Sequence, residues 1–265
     1  MEEANLVSLE MALAKTEEDV NSAIKAAAVA LSALKRFRSA IKTGSLRELR
    51  KTIESSENAV AALRQQFVNA KDGWDFNEET YFSGRAFISE ILETADKMGL
   101  KIFEQDEILF CYPFLVRILP NERTVLIDKT REKRLRPSVL INHLKELQNK
   151  PVRFRPDAFL ESLFSAYTMI IKTRSEDKPG MVTVIPLIKI YNLLTLLPGQ
   201  TRDYTIQEFA RDIYLLDQSR ITTTKAGFIV GFHASTATKS LRGTIRVITK
   251  DGLEKKYYGI SFSAG

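Results

Sequence analysis

Ile41-Lys-Thr-Gly44-Ser45-Leu-Arg-Glu48 decides the architecture of the first third of the chain. Gly44 suits the left-handed backbone that ends a helix. Ser45 with Glu48 spells a capping box, in which each side chain accepts a hydrogen bond from a free backbone N–H of the next helix. One helix therefore stops and another starts within two residues. Upstream, Val20, Ile24, Ala27, Leu31, Leu34 and Ile41 advance by threes and fours, with Arg38 the one interruption. Downstream, Leu46, Leu49, Ile53, Val60, Leu63 and Phe67 repeat that spacing, with Ser56 in the remaining slot. Two long helices joined by so short a break must fold back antiparallel, and Ala26 to Ala30 permits close approach to another helix. A shorter helix over about Leu6 to Ala14 is expected to precede them, with Thr16 as the cap of the second. Residues 1 to 72 thus read as a helical hairpin or bundle. Ile24, Leu31, Leu34 and Ile41 are its candidate partner-binding or self-association residues; the alternative is a seam packed only on the rest of the same chain.

Outward from the hairpin, Lys71-Asp-Gly-Trp-Asp-Phe-Asn77 breaks the helical pattern, and a helix from Glu78 to Met98 follows, stopped by Gly99. Glu107 to Tyr112, Phe114 to Leu119 and Arg123 to Asp128 are rich in Ile, Leu, Val and Phe and punctuated by proline, which predicts a small meander. Pro137 and Pro156 are placed for the first turns of two helices. Residues 78 to 174 read as an α+β domain. Ser175 to Gly180 is polar and turn-forming and serves as a linker into a third domain over 181 to 265. There Ile185 to Leu197 predicts a buried helix. Thr205-Ile-Gln-Glu208 is a second capping box ahead of Ile206, Phe209, Ala210, Ile213 and Leu216. Lys250-Asp251-Gly252 joins Thr244 to Thr249 with Leu253 to Phe262 in a β-hairpin. The whole is a mainly helical α+β chain.

This last order of elements resembles winged helix-turn-helix modules, as a fold pattern without a shared sequence motif. The resemblance implies a recognition helix in the major groove and a hairpin wing on the backbone. Gly227 and Gly231 are poorly placed in a recognition helix, which leaves a strand as the alternative for Ala226 to His233.

The 265 residues carry 39 Lys and Arg against 33 Asp and Glu, a net of +6. The excess is uneven: 14 basic against 19 acidic over 1 to 116, 11 against 4 over 117 to 155, and 14 against 10 over 156 to 265. The middle stretch is densest at Lys129, Arg131, Lys133, Arg134 and Arg136 and continues through Lys145, Arg153 and Arg155. Basic clustering of this kind is an electrostatic footprint for phosphates, since neutralising them releases counterions. In the last domain Lys239, Arg242, Arg246, Lys255 and Lys256 are the corresponding candidates. The expected partners are nucleic acid, DNA ahead of RNA, and a protein or second copy through the N-terminal helices. The alternative is a purely protein-binding subunit of a larger complex, and a metal-dependent nuclease stands third.

Chemistry-bearing motifs are sparse. Asp251 with Glu254, Lys255 and Lys256 has the composition of a metal-nuclease site, but the acids lie across a tight turn rather than on converging strands. Thr238-Lys239-Ser240 lacks the glycine and strand-loop-helix setting of a phosphate-binding loop. His143 and His233 are ninety residues apart, and no elbow motif accompanies a serine. Cys111 sits within the apolar run Leu109 to Tyr112, where a buried thiol is inert, and alternation along a strand turns only one of Tyr257 and Tyr258 outward. No catalytic residue, metal or cofactor is expected. One cysteine excludes a disulfide framework. The opening Met-Glu-Glu-Ala-Asn has no basic n-region or apolar h-region, and no stretch of 18 apolar residues occurs, so the expectation is a cytoplasmic protein without membrane association.

Overall fold

The computed structural model describes residues 8 to 150, 154 to 173, 183 to 233 and 243 to 265. The chain divides into two compact units, the first comprising Met1–Thr94, Pro120–Arg123 and Arg134–Ile141, the second Ala95–Leu119, Thr124–Lys133 and Asn142–Gly265.

The first unit is built on α1 (Leu9–Thr43) and α2 (Leu46–Asp72), an antiparallel pair. Gly44 closes α1 with φ of 69°, its N–H returning to the Ala40 and Ile41 carbonyls. Thr16 starts no helix. Its hydroxyl donates to the Ala12 carbonyl at 2.9 Å, so α1 runs through unbroken. The actual start is Ser8, whose Oγ accepts the Met11 N–H at 3.3 Å. Glu90, from α4 (Ala86–Lys97), also accepts the Leu9 and Glu10 N–H groups, each at 2.9 Å, the Ser8 hydroxyl at 2.6 Å and the Tyr81 hydroxyl. A carboxylate there satisfies orphan donors and complements the helix dipole. The expected helix over 78 to 98 is two helices, α3 (Glu78–Ser83) and α4, because Gly84 is extended at φ −100° and ψ −164°.

The seam between α1 and α2 is rich in small residues, with Phe37, Leu49, Leu63 and Gln66 the large exceptions. On α1, Thr16, Asp19, Ala23, Ala26, Ala30, Ala33, Phe37 and Ala40 alternate by threes and fours and are all half-buried or buried. On α2 the matching row is Ser45, Leu49, Thr52, Ser56, Ala59, Leu63, Gln66 and Ala70. Alanine and serine at the contact let the two backbones approach closely. The row of Val20, Ile24, Leu31, Leu34 and Ile41 is therefore not the intramolecular seam: those residues are 44 to 60 % exposed.

The second unit opens with an antiparallel five-stranded meander in sequential order: β1 (Phe103–Gln105), β2 (Ile108–Cys111), β3 (Phe114–Leu119), β4 (Thr124–Ile127) and β5 (Thr130–Glu132). Thr130–Glu132, within the basic run, supplies the edge strand β5. Pro137 and Pro156 begin α5 (Pro137–Gln148) and α6 (Pro156–Lys172). After α6 come β6 (Ile185–Pro186), α7 (Leu187–Leu194), α8 (Gln200–Asp203), α9 (Ile206–Gln218), β7 (Phe228–His233), β8 (Ile245–Ile248), β9 (Glu254–Tyr257) and β10 (Gly259–Ala264). The glycine-bearing stretch at 226 to 233 takes the strand alternative. The predicted terminal strand divides into β9, paired with β8, and β10, which pairs with β6 and β7. Gly259 marks the division: a Cβ there would lie 2.6 Å from Val184 Cγ1 and 3.0 Å from the Ile185 carbonyl. Leu160, Leu163, Ile185, Leu187, Ile190, Phe209, Ile213, Ile260 and Phe262 form the core of this part. The linker expected at 175 to 180 lies outside the described residues.

Candidate functional site

The basic residues divide into two kinds. Lys129, Arg131 and Lys133 are exposed and alternate along β5 and its flanks, so they share one side of the strand. Glu132 takes the other side, 3.4 Å from His143 Nε2. The turn into β5 is held by Asp128, at φ 49°, whose carboxylate accepts the Leu115 N–H at 3.0 Å and Arg211 Nη1 at 2.7 Å.

Arg131 also has an interaction partner within the chain, and the remaining described candidates are engaged there too. Arg136 donates from Nε to Glu10 at 2.7 Å and from Nη1 to Glu17 at 2.6 Å, and Arg134, also in the first unit, is exposed but interacts locally. Lys145 donates to the Met98 carbonyl just beyond α4, the end of the helix dipole where a cation is favoured. Arg155 stands 3.6 Å from Asp157. On the β8–β9 hairpin, Arg246 and Lys256 lie opposite each other and share Glu254 at 3.6 and 3.1 Å. Lys255 bonds Asp217 at 2.5 Å, and the same carboxylate oxygen accepts the Tyr257 hydroxyl at 2.7 Å. Arg153, Lys239 and Arg242, with the Thr238 to Ser240 motif, lie outside the described residues.

The helix α9 carries a buried charged network. Arg211 reaches Asp212 through Nε at 3.0 Å as well as Asp128, and Tyr204 donates to Asp212 at 2.8 Å. Burial pushes the Asp212 carboxyl above its ordinary value, against the opposing pull of Arg211 and Tyr204. Arg117 donates to Thr205 at 3.0 Å and lies 3.9 Å from Glu208, the two residues of the capping box. These contacts fix α9 to the meander.

The candidate chemical groups are placed as follows. His233 Nε2 stands 2.7 Å from Ser261 Oγ across the β7–β10 ladder, with Ser261 buried mid-strand. Cys111 is fully buried, and desolvation pushes its thiol up to about 12. Tyr257 faces inward against Phe232 while Tyr258 is half-buried. Among the described residues no group of three or more His, Cys, Asp or Glu could hold a metal ion, and no helix is long and apolar enough to cross a membrane.

On the hairpin, Ile24, Leu31, Leu34 and Ile41 lie along one exposed row that also holds Val20. The second helix adds Leu46, Ile53, Val60 and Phe67, seven residues apart and 45 to 73 % exposed. Every one of the nine immediately follows a seam residue. Two right-handed helices running in opposite senses turn such positions to the same side of the pair, so both rows belong to one face. At the base of the hairpin a groove of about 490 Å³ is lined by Leu13, Val20, Leu135 and Val139, with Glu17 and Arg136 on its rim. The tip of the hairpin carries a basic cluster. Lys35, Arg36, Arg38, Lys42, Arg47, Arg50 and Lys51 stand against Glu48 alone within residues 35 to 51, and all seven are exposed. The acidic remainder of the N-terminal third masks them in a net count.

No protein-family profile, characterised protein or solved structure matches the chain.

Proposed function

We propose that the protein is a non-enzymatic assembly subunit whose N-terminal hairpin is a docking arm for a protein surface. The observation that carries this reading is the two-helix row of large apolar side chains left exposed beside a seam of alanines. Exposed leucine or isoleucine scattered singly is ordinary, but a contiguous face at heptad spacing costs solubility unless something covers it. Cross-linking of the tagged full-length chain in cells, read by mass spectrometry, tests it. Intermolecular links should concentrate on Lys25, Lys35 and Lys42 and disappear in Leu31→Glu/Leu34→Glu. Links unchanged by that variant reject the arm.

Nucleic-acid contact is the second reading, supported by Lys129, Arg131 and Lys133 on one side of β5. The winged-helix-like reading of the terminal domain draws support from the order α6, β6, α7, α9, β7, hairpin, β10 and from the strand order β6–β10–β7. It then begins at Pro156 rather than at residue 181. Its third helix would be α9, which buries Phe209, Ala210, Ile213, Tyr214, Leu215 and Leu216 and commits Arg211 to two carboxylates. A groove-reading helix needs an exposed polar face. This favours the module as a scaffold and leaves phosphate contact to β5.

A further inference from the structure

The geometry points to a specific occupant for the hairpin face: we propose that it binds a second copy of this chain, antiparallel about a two-fold axis, with each tip over the groove at the other's base. The inference rests on the docking-arm reading and names its partner.

Area is the first argument. Summed over the nine apolar residues of the face, roughly 900 Å² of surface is open, with Arg38, Arg50, Glu57 and Arg64 set between them, against the few hundred Å² of the largest patch on an ordinary monomer. Pairing two such faces would bury on the order of 1,800 Å², within the range of stable, specific interfaces. An isologous contact uses the same patch on both copies, so one face suffices for both halves.

Shape is the second. Ile41 and Leu46 project at the tip, 56 and 73 % exposed, while the groove at the base offers Leu13, Val20, Leu135 and Val139. Projection and recess lie at opposite ends of one face. Only an antiparallel partner brings each projection to a recess; a parallel one sets tip on tip.

Charge is the third. A parallel pair would bring two clusters of seven exposed basic residues together. An antiparallel pair carries Lys42 and Arg47 of each tip towards the base, where Glu18, Asp72 and Asp75 are exposed; Glu17 is held there by Arg136 at 2.6 Å, and Lys15 and Arg134 are exposed beside it. Lys71 is also at the base, 3.9 Å from Asp72. Midway along the face, Glu54 and Glu57 of one copy come level with Arg64 of the other.

Sedimentation equilibrium of the purified full chain is expected to give a dimer at micromolar concentration. In Leu31→Glu/Leu34→Glu the dimer should be lost while circular dichroism stays unchanged, because both positions are exposed in the single chain. Orientation is read by mixing Val20→Cys with Ile41→Cys under mild oxidation, which should yield the mixed disulfide between copies, because the two-fold axis lays α1 over the partner's α1. Within one chain these positions are separated along α1 by roughly 32 Å at 1.5 Å per residue, so no internal bond competes. A monomer at all concentrations overturns the proposal, as does a dimer that survives Leu31→Glu/Leu34→Glu or cross-links only between two copies of Val20→Cys. A monomeric chain that binds duplex DNA through Arg38 and Arg47 overturns it in favour of a phosphate-binding tip. If the chain is monomeric but Leu31→Glu/Leu34→Glu still removes cross-links to another protein in cells, self-pairing fails and the docking arm stands.

Discussion

The Glu10 carboxylate accepts the backbone N–H of Ser138 at 2.9 Å, so a residue in the first turn of α1 caps the first turn of α5. The Ser138 hydroxyl, at 3.0 Å, and Arg136 complete its coordination. Burial alone would push the Glu10 carboxyl up, but the Ser138 and Arg136 hydrogen bonds outweigh it and hold the group below its ordinary value. A carboxyl depressed in the folded state stabilises fully above its unfolded value, about 4.3, and loses that contribution as the pH falls through the folded value. Glu10→Gln should therefore lower stability by about 1 kcal/mol at neutral pH, as for a lost helix cap. Its loss of stability on acidification should also be shallower than that of the parent. Urea melts of both proteins across an acid pH series check the two expectations, and parallel curves would remove Glu10 from the capping role.

Ser56 lies in the alanine seam, 5 % exposed, and its hydroxyl finds no hydrogen-bond partner among the described residues. A buried, unpaired hydroxyl costs about 1 to 3 kcal/mol. Alanine keeps the close approach, removes that cost and is the better helix former. Ser56→Ala is expected to stabilise the hairpin by about 1 kcal/mol, seen as a higher urea midpoint with unchanged slope. Ser56→Leu should do the reverse, since a seam spaced for small side chains has no room for a larger one.

These two residues also show what the sequence disclosed. The turn at Gly44 and the antiparallel pair were legible because they are local. Thr205-Ile-Gln-Glu208 forms both bonds of its capping box, whereas the similar Ser45-Leu-Arg-Glu48 starts its helix without a side-chain cap bond from Ser45. Periodicity alone did not say which row of α1 meets α2: two rows one residue apart share the same spacing, and the row richer in small residues takes the contact, which leaves the internal-packing alternative for Ile24, Leu31, Leu34 and Ile41 unmet. The tip cluster was hidden by averaging charge over too long a stretch. The Arg211–Asp128 pair spans 83 positions and has no local signal at all.

Asp217, near the end of α9, ties down the hairpin by accepting from both Lys255 and Tyr257. Tyr257 is 2 % exposed, so removing its acceptor strands a buried hydroxyl. Lys255 is less committed, with 42 % of its side chain exposed. Asp217→Ala should destabilise by about 2 kcal/mol, mostly through Tyr257. Lys255→Ala should cost well under 1 kcal/mol, as for an exposed ion pair. The double variant should add little to Asp217→Ala, because both substitutions break the same contact. Thermal unfolding of the three variants measures this, and equal losses for the two single substitutions would contradict the assignment.

The exposed basic residues of β5 allow two physical roles, and one set of substitutions separates them. β5 is the edge of the five-stranded sheet, and positive side chains on an edge strand oppose pairing with another chain. As a phosphate-binding row, Lys129, Arg131 and Lys133 are spaced along one side of an extended backbone. If they contact duplex DNA, changing all three to alanine should weaken binding and reduce the slope of log affinity against log salt by about 2 to 3 units. Lys255→Ala, whose ammonium is held by Asp217, should leave that slope unchanged. A salt series with labelled duplex, run beside light scattering of the free protein, distinguishes the roles. An unaltered slope together with increased scattering in the triple variant assigns the charges to protection of the edge and removes the β5 support for nucleic-acid binding.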